Sequence, residues 1–128
     1  MNLLLDAHAF IWLDDGQPNL SPAATNACTD PANSLWLSAA TLWEIQIKFQ
    51  LGKLKLRGSL LDVLSDQERV NGLRILSLSS AHVLELASLP FHHNDPFDRM
   101  LIAQAKHEGW EIVSKDPEFK LYPVRVIW

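Results

Sequence analysis

Three acidic residues of this sequence stand where folding would bury a charge. Asp6 directly follows the apolar run LLL at 3–5, and Asp116 comes soon after the apolar segment WEIVS. Glu44 lies in an apolar neighbourhood, directly after Trp43. Removing a carboxylate from water costs on the order of several kcal/mol unless a cation or a hydrogen-bond donor compensates it. Asp6 in particular therefore predicts a partner for its charge.

Two further acids, Asp95 and Asp98, begin the segment NDPFDRMLIAQAKHEG and have an ordinary structural explanation. An Asp before a proline is a typical helix N-cap, and acidic residues are common at the third helical position. Asp116, which also precedes a proline, could cap a short turn in the same way. These explanations do not cover Asp6 or Glu44. We therefore interpret the acids together as an oxygen-only site for Mg²⁺ or Mn²⁺. Its predicted ligands are Asp6, Glu44, Asp98 and Asp116.

The charge balance agrees with one acidic site on an otherwise neutral protein. The 128 residues include 15 acidic and 11 basic side chains, for a net charge of −4, and the four predicted ligands account for the whole excess. This balance argues against a general basic surface for nucleic acid. One basic cluster consists of Lys48, Lys53, Lys55 and Arg57. It is either a solvated face or a contact for an RNA backbone or an acidic partner segment.

Other residues that could carry chemistry have weaker patterns. His92 and His93 are adjacent, which suits one binding face poorly, and the single cysteine, Cys28, provides neither a zinc-finger spacing nor a disulfide. We expect His8 to pack its helix, and most of the five tryptophans to lie in the core rather than stack on bases. Arg99, next to the second acid of its helix, could hold a phosphate or pair with an acid.

Strand-length apolar runs alternate with helix-like segments, which is typical of an α/β domain with a largely parallel sheet. The predicted strands cover 3–5, 34–38, 73–78, 110–114 and 124–127. The predicted helices cover 7–13, a segment starting at Pro22 with Ser21 as N-cap, 41–51, 59–70, a segment capped by Ser79 or Ser80, and the segment from 96 to Gly109. Ligands of such sheets bind at the carboxyl edge of the strands, where we expect the acids to meet.

Four blocks, LLLDAHAFIW, LSAATLWEIQIK, HHNDPFDRMLIAQA and IVSKDPEFKLY, resemble the PIN-domain ribonucleases, specifically the VapC toxins of bacterial toxin–antitoxin pairs. The resemblance spans nearly the whole chain. It implies a single PIN domain over 1–128, built as a three-layer α/β/α sandwich with a parallel sheet of four or five strands in the order 3-2-1-4-5. It also implies the same four metal ligands, with Asp95 as an additional acid of this subgroup. Ser114 matches a hydroxyl residue two places before the last acid, whereas Ala7 replaces the hydroxyl residue that often follows the first.

The resulting functional prediction is an endoribonuclease that uses one or two Mg²⁺ or Mn²⁺ ions to activate water and leaves a 5′-phosphate and a 3′-hydroxyl. The resemblance implies a homodimer and a small antitoxin whose tail covers the acidic pocket. We expect Lys53, Lys55 and Arg57 to contact RNA or the antitoxin, and Ser114 and Arg99 to support the site. No apolar run approaches the ~18 residues of a membrane span and no basic leader precedes the first strand, so a cytoplasmic location is expected.

Alternative functions remain open at the level of sequence. A PIN nuclease could process RNA or act on DNA flaps. A phosphoacceptor signalling domain is also doubly wound, but it requires an acidic pair after the first strand and an aspartate after the third, where this chain has SLSS at 77–80. A PIN-like fold retained only for binding is expected to have lost an acid, and all four are present.

Overall fold

A parallel sheet forms the centre of the protein in the computed structural model, which describes residues 1–16 and 18–128. Its strands are β1 (Asn2–Leu5), β2 (Ser34–Ser38), β3 (Arg74–Leu76), β4 (Glu111–Val113) and β5 (Val126–Ile127). They lie in the order β3-β2-β1-β4-β5, and every pairing is parallel. Leu5 of the central strand pairs with Leu37 on one side and Val113 on the other. The predicted strand order and direction are confirmed.

Within residues 1–16 and 18–128, six helices connect these strands. They are α1 (Ala7–Asp14), α2 (Pro22–Thr29), α3 (Ala39–Gln50), α4 (Leu60–Asn71), α5 (Ser80–Glu85) and α6 (Pro96–Glu108), joined by two 3₁₀ turns at Leu86–Ser88 and Pro117–Leu121. The predicted caps are confirmed, since Ser21 accepts a hydrogen bond from the amide of Ala24 and Asp95 caps α6. Gly109 ends α6 with φ +73°, a left-handed conformation that glycine adopts without steric cost.

The alternation of side chains along β1 builds two cores, one on each face of the sheet. Leu3 and Leu5 belong to a cluster that includes Phe10 of α1 and Val63 of α4. Leu4 points the other way, into a cluster formed with α6 and the second 3₁₀ turn. All three leucines are fully buried, and each contributes about 1.5–3 kcal/mol of transfer free energy. Helices therefore cover both faces, as predicted for a three-layer α/β/α sandwich.

Three sequence-based expectations differ from the structure. β3 is three residues long instead of six, and after two further residues Ser79 and His82 form the capping box that starts α5. α3 begins at Ala39 rather than 41, because Ser38 caps it. No tryptophan is fully buried: Trp12, Trp36 and Trp128 pack against the margins of the two cores, Trp110 is half-buried and Trp43 is 62% exposed.

Within residues 1–16 and 18–128, no helix is long and apolar enough to cross a membrane.

Candidate active site

The carboxyl ends of β1 and β4 open into a cleft of about 450 Å³. Five acidic side chains line it: Asp6, Glu44, Asp95, Asp98 and Asp116. Its lining also includes His8, Lys48 and Lys115. The structure thus brings together all five acids that the sequence nominated, at the edge of the sheet where they were expected. Their role as metal ligands stays a prediction.

Asp6 is held by two hydrogen bonds that satisfy both of its carboxylate oxygens. It caps α1, where Oδ1 accepts from the amide of Ala9 at 2.8 Å. Oδ2 accepts from the hydroxyl of Ser114, which itself accepts from the amide of Asp116 at 3.0 Å. We call this arrangement the Ser114 clamp, because it ties the end of β1 to the loop after β4. Burial still raises the pKa of the Asp6 carboxyl, in spite of these donors.

These bonds answer the question of what compensates the charge of Asp6. The sequence interpretation left Asp6 without a structural role and sought a cation, whereas the carboxylate is an N-cap residue of α1. Each oxygen of a carboxylate can accept more than one hydrogen bond or ligand, so capping does not prevent Asp6 from binding a metal ion as well. Structural and catalytic roles are compatible at this position.

Glu44 is buried in the first half of α3 and forms an ion pair inside the cleft. Its Oε2 lies 2.8 Å from Nζ of Lys48, one helical turn further along. The hydrogen bond to Glu44 raises the pKa of the Lys48 ammonium, which also faces the charges of Asp95 and Asp98. The sequence suggested that Lys48 belongs to a basic cluster with Lys53. The structure instead places Lys48 in the acidic cleft.

Asp98 differs from the other acids of the cleft. Asp95 accepts from the amides of Phe97 and Asp98, and Asp116 accepts from the amide of Glu118, so both are capping residues. For Asp98, burial and the neighbouring carboxylates raise the pKa to about 7. A carboxyl with so high a pKa indicates a place where a cation would be strongly favoured.

The donor chemistry of the cleft suits a hard cation, although its side chains are not arranged as a ready-made cage. In the described part of the chain, no three His, Cys, Asp or Glu side chains are positioned to hold a metal ion. Local bonds direct these carboxylates, with Glu44 turned to Lys48 and Asp6 fixed by its clamp. Mg²⁺ keeps several waters and typically takes only one or two carboxylates directly. Oxygen-only donors beside a carboxyl of raised pKa therefore fit Mg²⁺ or Mn²⁺.

Arg99 does not reach the cleft. Its guanidinium is buried, donates to the carbonyl of Pro90 at 2.8 Å and to the hydroxyl of Tyr122 at 3.2 Å, and stacks over the ring of Phe91 at 4.1 Å. These contacts hold the guanidinium away from the acids of the cleft, so the structure does not pair it with one of them, and a phosphate contact of Arg99 stays a prediction. Adjacent helical residues point about 100° apart, so the neighbour of a cleft residue on α6 faces a different surface.

The predicted basic cluster separates into three environments, the first of which is the acidic cleft around Lys48. Arg57 lies 2.9 Å from both Asp14 and Asp66 and thereby ties α1 to α4. Lys53 and Lys55 are exposed. Arg57 is thus committed to an ion pair within the chain, whereas the two lysines are accessible to a partner.

Three cleft residues were missed or misinterpreted by sequence reasoning. His8 was expected to pack its helix, but it is exposed, lines the cleft and lies beside Trp12, with ring centroids 5.4 Å apart. Lys115 also lines the cleft, with Nζ 5.9 Å from the ring of Trp12. Lys48 was assigned to the surface. Nearness in sequence could have predicted two of these residues, because His8 and Lys115 lie within two positions of a predicted cleft acid.

Comparison with known proteins identifies the fold family. Residues 3–124 match the PIN domain. The chain belongs to the PIN domain family. The PIN domain that the four sequence blocks suggested is therefore confirmed.

This PIN domain is similar to one curated protein, Ribonuclease VapC22 from Mycobacterium tuberculosis (strain ATCC 25618 / H37Rv). The two are 28% identical over 115 residues, which cover 89% of this chain and 86% of the relative.

Solved structures with the same fold include VapBC2 from Rickettsia felis, bound to a DNA fragment from their promoter. Its TM-score is 0.74 at 18% identity, over 98% of this chain and 97% of that one. FitAcB from Neisseria gonorrhoeae has a TM-score of 0.62 at 20% identity, over 97% and 95% of the two chains. At these identities the likeness supports the fold of this PIN domain alone.

Proposed function

We propose that this PIN domain is a Mg²⁺- or Mn²⁺-dependent endoribonuclease that acts on cytoplasmic RNA as the toxin of a toxin–antitoxin pair. The observation that carries the proposal is the convergence of Asp6, Glu44, Asp98 and Asp116 on one cleft. The curated relative is named as a ribonuclease, which supports the reaction. Solved structures of the same fold include VapBC2, FitAcB and a toxin–antitoxin complex from Klebsiella pneumoniae, and this supports the partner.

The four acids would hold the metal ion, directly or through water, with Asp95 as an additional acid. The chemistry that a divalent cation held by these acids would supply is activation of water and neutralisation of charge on the phosphate. The chain holds Asp6 in a fixed orientation through the Ser114 clamp. Burial of Asp6 and Glu44 keeps bulk water from screening the charges, which strengthens attraction for a cation.

Basic and aromatic side chains of the cleft lining provide contacts for an RNA strand. Lys48 and Lys115 place ammonium groups beside the acids, where they can pair with phosphate oxygens. His8 and Trp12 form an adjacent aromatic pair on which a base can stack. Hydrolysis by activated water leaves a 5′-phosphate and a 3′-hydroxyl, so the ends of the products report this mechanism.

The antitoxin is proposed to bind the apolar groove between α3 and α4. This groove, of about 430 Å³, is lined by side chains that include Leu42, Trp43, Leu61 and Leu64. A short amphipathic helix fits such a surface. An Arg or Lys in the tail that follows would inhibit the enzyme by placing its charge among the acids of the cleft. We also propose a homodimer, which the resemblance to VapC toxins implies.

The test is cleavage of a defined RNA by purified protein with Mn²⁺, followed by sequencing of the product ends. We expect Asp6→Asn to reduce the rate by at least about 100-fold, because it removes a hard ligand, while the protein stays folded. Glu68→Gln, an exposed acid on α4, is the matched control and should cleave normally. Full activity of Asp6→Asn, or products with 2′,3′-cyclic ends, would refute the assignment.

A further inference from the structure

His93 lies directly behind the cleft, on the segment that leads into α6. Its side chain is 12% exposed, and Nε2 lies 3.5 Å from Oδ2 of Asp98. Among the buried side-chain nitrogen and oxygen atoms of the described residues, this Nε2 is the one without a hydrogen-bond partner. Buried polar atoms are almost always satisfied, so an unpartnered nitrogen aimed at a carboxylate of the cleft requires a reason.

The hydroxyl of Tyr122 determines which ring nitrogen of His93 carries the hydrogen. This oxygen accepts from the backbone amide of His93 at 3.2 Å and from Nη1 of Arg99 at 3.2 Å. Both of its lone pairs are then used, so its single hydrogen points to the remaining neighbour, Nδ1 of His93, at 2.7 Å. Nδ1 is an acceptor, and in the neutral ring the hydrogen resides on Nε2.

One carboxylate competes for the other tautomer. Oε2 of Glu118 lies 3.7 Å from Nδ1, beyond hydrogen-bond distance, and its side chain is 47% exposed. The hydroxyl of Tyr122 is closer by 1 Å and is buried. The Nε2–H group therefore faces Asp98 as a donor.

We propose that His93 is a positioning residue that donates Nε2–H to Asp98 and orients this carboxylate for binding a divalent cation. The proposal rests on the function proposed above. Carboxylates and histidines that bind metals are themselves held by hydrogen bonds from an outer layer of residues. A movement of roughly 0.5 Å would bring the two atoms within hydrogen-bond distance.

The same network explains the burial of Arg99. Its guanidinium joins the carbonyl of Pro90 to the hydroxyl of Tyr122, which holds the histidine ring. Asp98 and Arg99 are neighbours on α6. The helix that carries the carboxylate thus also anchors, through Tyr122, the ring that orients it.

The first test measures Mn²⁺ affinity by titration calorimetry at about pH 8, with two substitutions of His93. The amide of His93→Gln can reach the position of Nε2, whereas the shorter His93→Asn cannot. We expect His93→Asn to weaken Mn²⁺ binding on the order of 10-fold, and His93→Gln to restore most of it. The control is His92→Asn, since His92 is exposed and contacts the ring of Tyr122.

The second test observes the imidazole nitrogens of His93 by NMR, without metal. We expect the Nε2–H tautomer in the natural protein and a mixture of tautomers in Tyr122→Phe. An Nδ1–H tautomer would overturn the proposal, as would equal Mn²⁺ affinity for His93→Asn and the natural protein. If the natural protein binds no Mn²⁺, the proposed function itself fails and takes this role of His93 with it, so the two failures are distinguishable.

Discussion

Asp98→Asn should stabilise the metal-free protein at neutral and alkaline pH. The Asp98 carboxyl has a pKa of about 7 in the folded protein, raised from 3.8 by burial and by the neighbouring acids. Between these two pH values the folded state holds a proton that the unfolded state releases. Stability therefore falls as pH rises from 3.8 to about 7 and stays lowered above that. An asparagine carries no charge and avoids this loss.

The magnitude follows from the size of the shift. The difference between the pKa values of Asp98 in the folded and unfolded states corresponds to at most about 4 kcal/mol of unfolding free energy, at about 1.36 kcal/mol per pKa unit. The side chain is 22% exposed at the mouth of an open cleft, so solvent screens part of the repulsion and about 1–2 kcal/mol is the realistic gain. For a domain of this size, that raises the midpoint of thermal unfolding by about 4–8 °C.

The assay is thermal unfolding in a chelator at about pH 8 and about pH 4. The control is Asp62→Asn, because Asp62 occupies the third position of α4, as Asp98 does in α6, but is exposed. Asp62→Asn loses a favourable interaction with the helix dipole, so it should lower the free energy of unfolding by about 0.3–1 kcal/mol. A stabilised Asp98→Asn at pH 8 that is neutral at pH 4 agrees with the reasoning. A variant that is destabilised at pH 8 refutes it.

Three further predictions concern single contacts. Lys48→Met removes the ammonium group that pairs with Glu44, so Mn²⁺ no longer competes with this ammonium group. Calorimetry should show Mn²⁺ bound about 3- to 10-fold more tightly, and an unchanged Mn²⁺ affinity would contradict the prediction. Ser114→Ala breaks the Ser114 clamp and should lower the free energy of unfolding by about 1–3 kcal/mol in urea titrations, where an unchanged midpoint would argue against the clamp. Charge reversal at Lys53 and Lys55 should weaken binding of RNA or of the antitoxin more than it weakens binding of Mn²⁺. Wild-type affinity for both macromolecules would mean that these lysines are only a solvated face.

The positions of the acids along the backbone could be predicted because they depend on topology alone. Asp6 and Asp116 follow neighbouring parallel strands, so the two residues lie close together at the sheet edge once the strand order is known. The starts of α2 and α6 were also predictable, because Ser21 and Asp95 carry local capping signals before prolines.

The directions of side chains could not be predicted in the same way. Lys48 meets Glu44 because α3 turns both toward the cleft, whereas Lys53 lies after the helix has ended. Arg99 points away from the acids because it bonds to Pro90 and Tyr122, which come from distant segments. These choices depend on contacts between elements, and a sequence read segment by segment contains no information on them.

The Ser114 clamp has a consequence for the timing of activity during synthesis. It joins residues 108 positions apart, so Asp6 leaves the ribosome well before Ser114 does. Contacts of such long range form only after the intervening chain is available. A nascent chain that ends before Asp116 lacks one of the five acids of the cleft, and one that ends before Glu111 has no β4 beside β1. The nuclease activity proposed above therefore requires synthesis to have passed this loop.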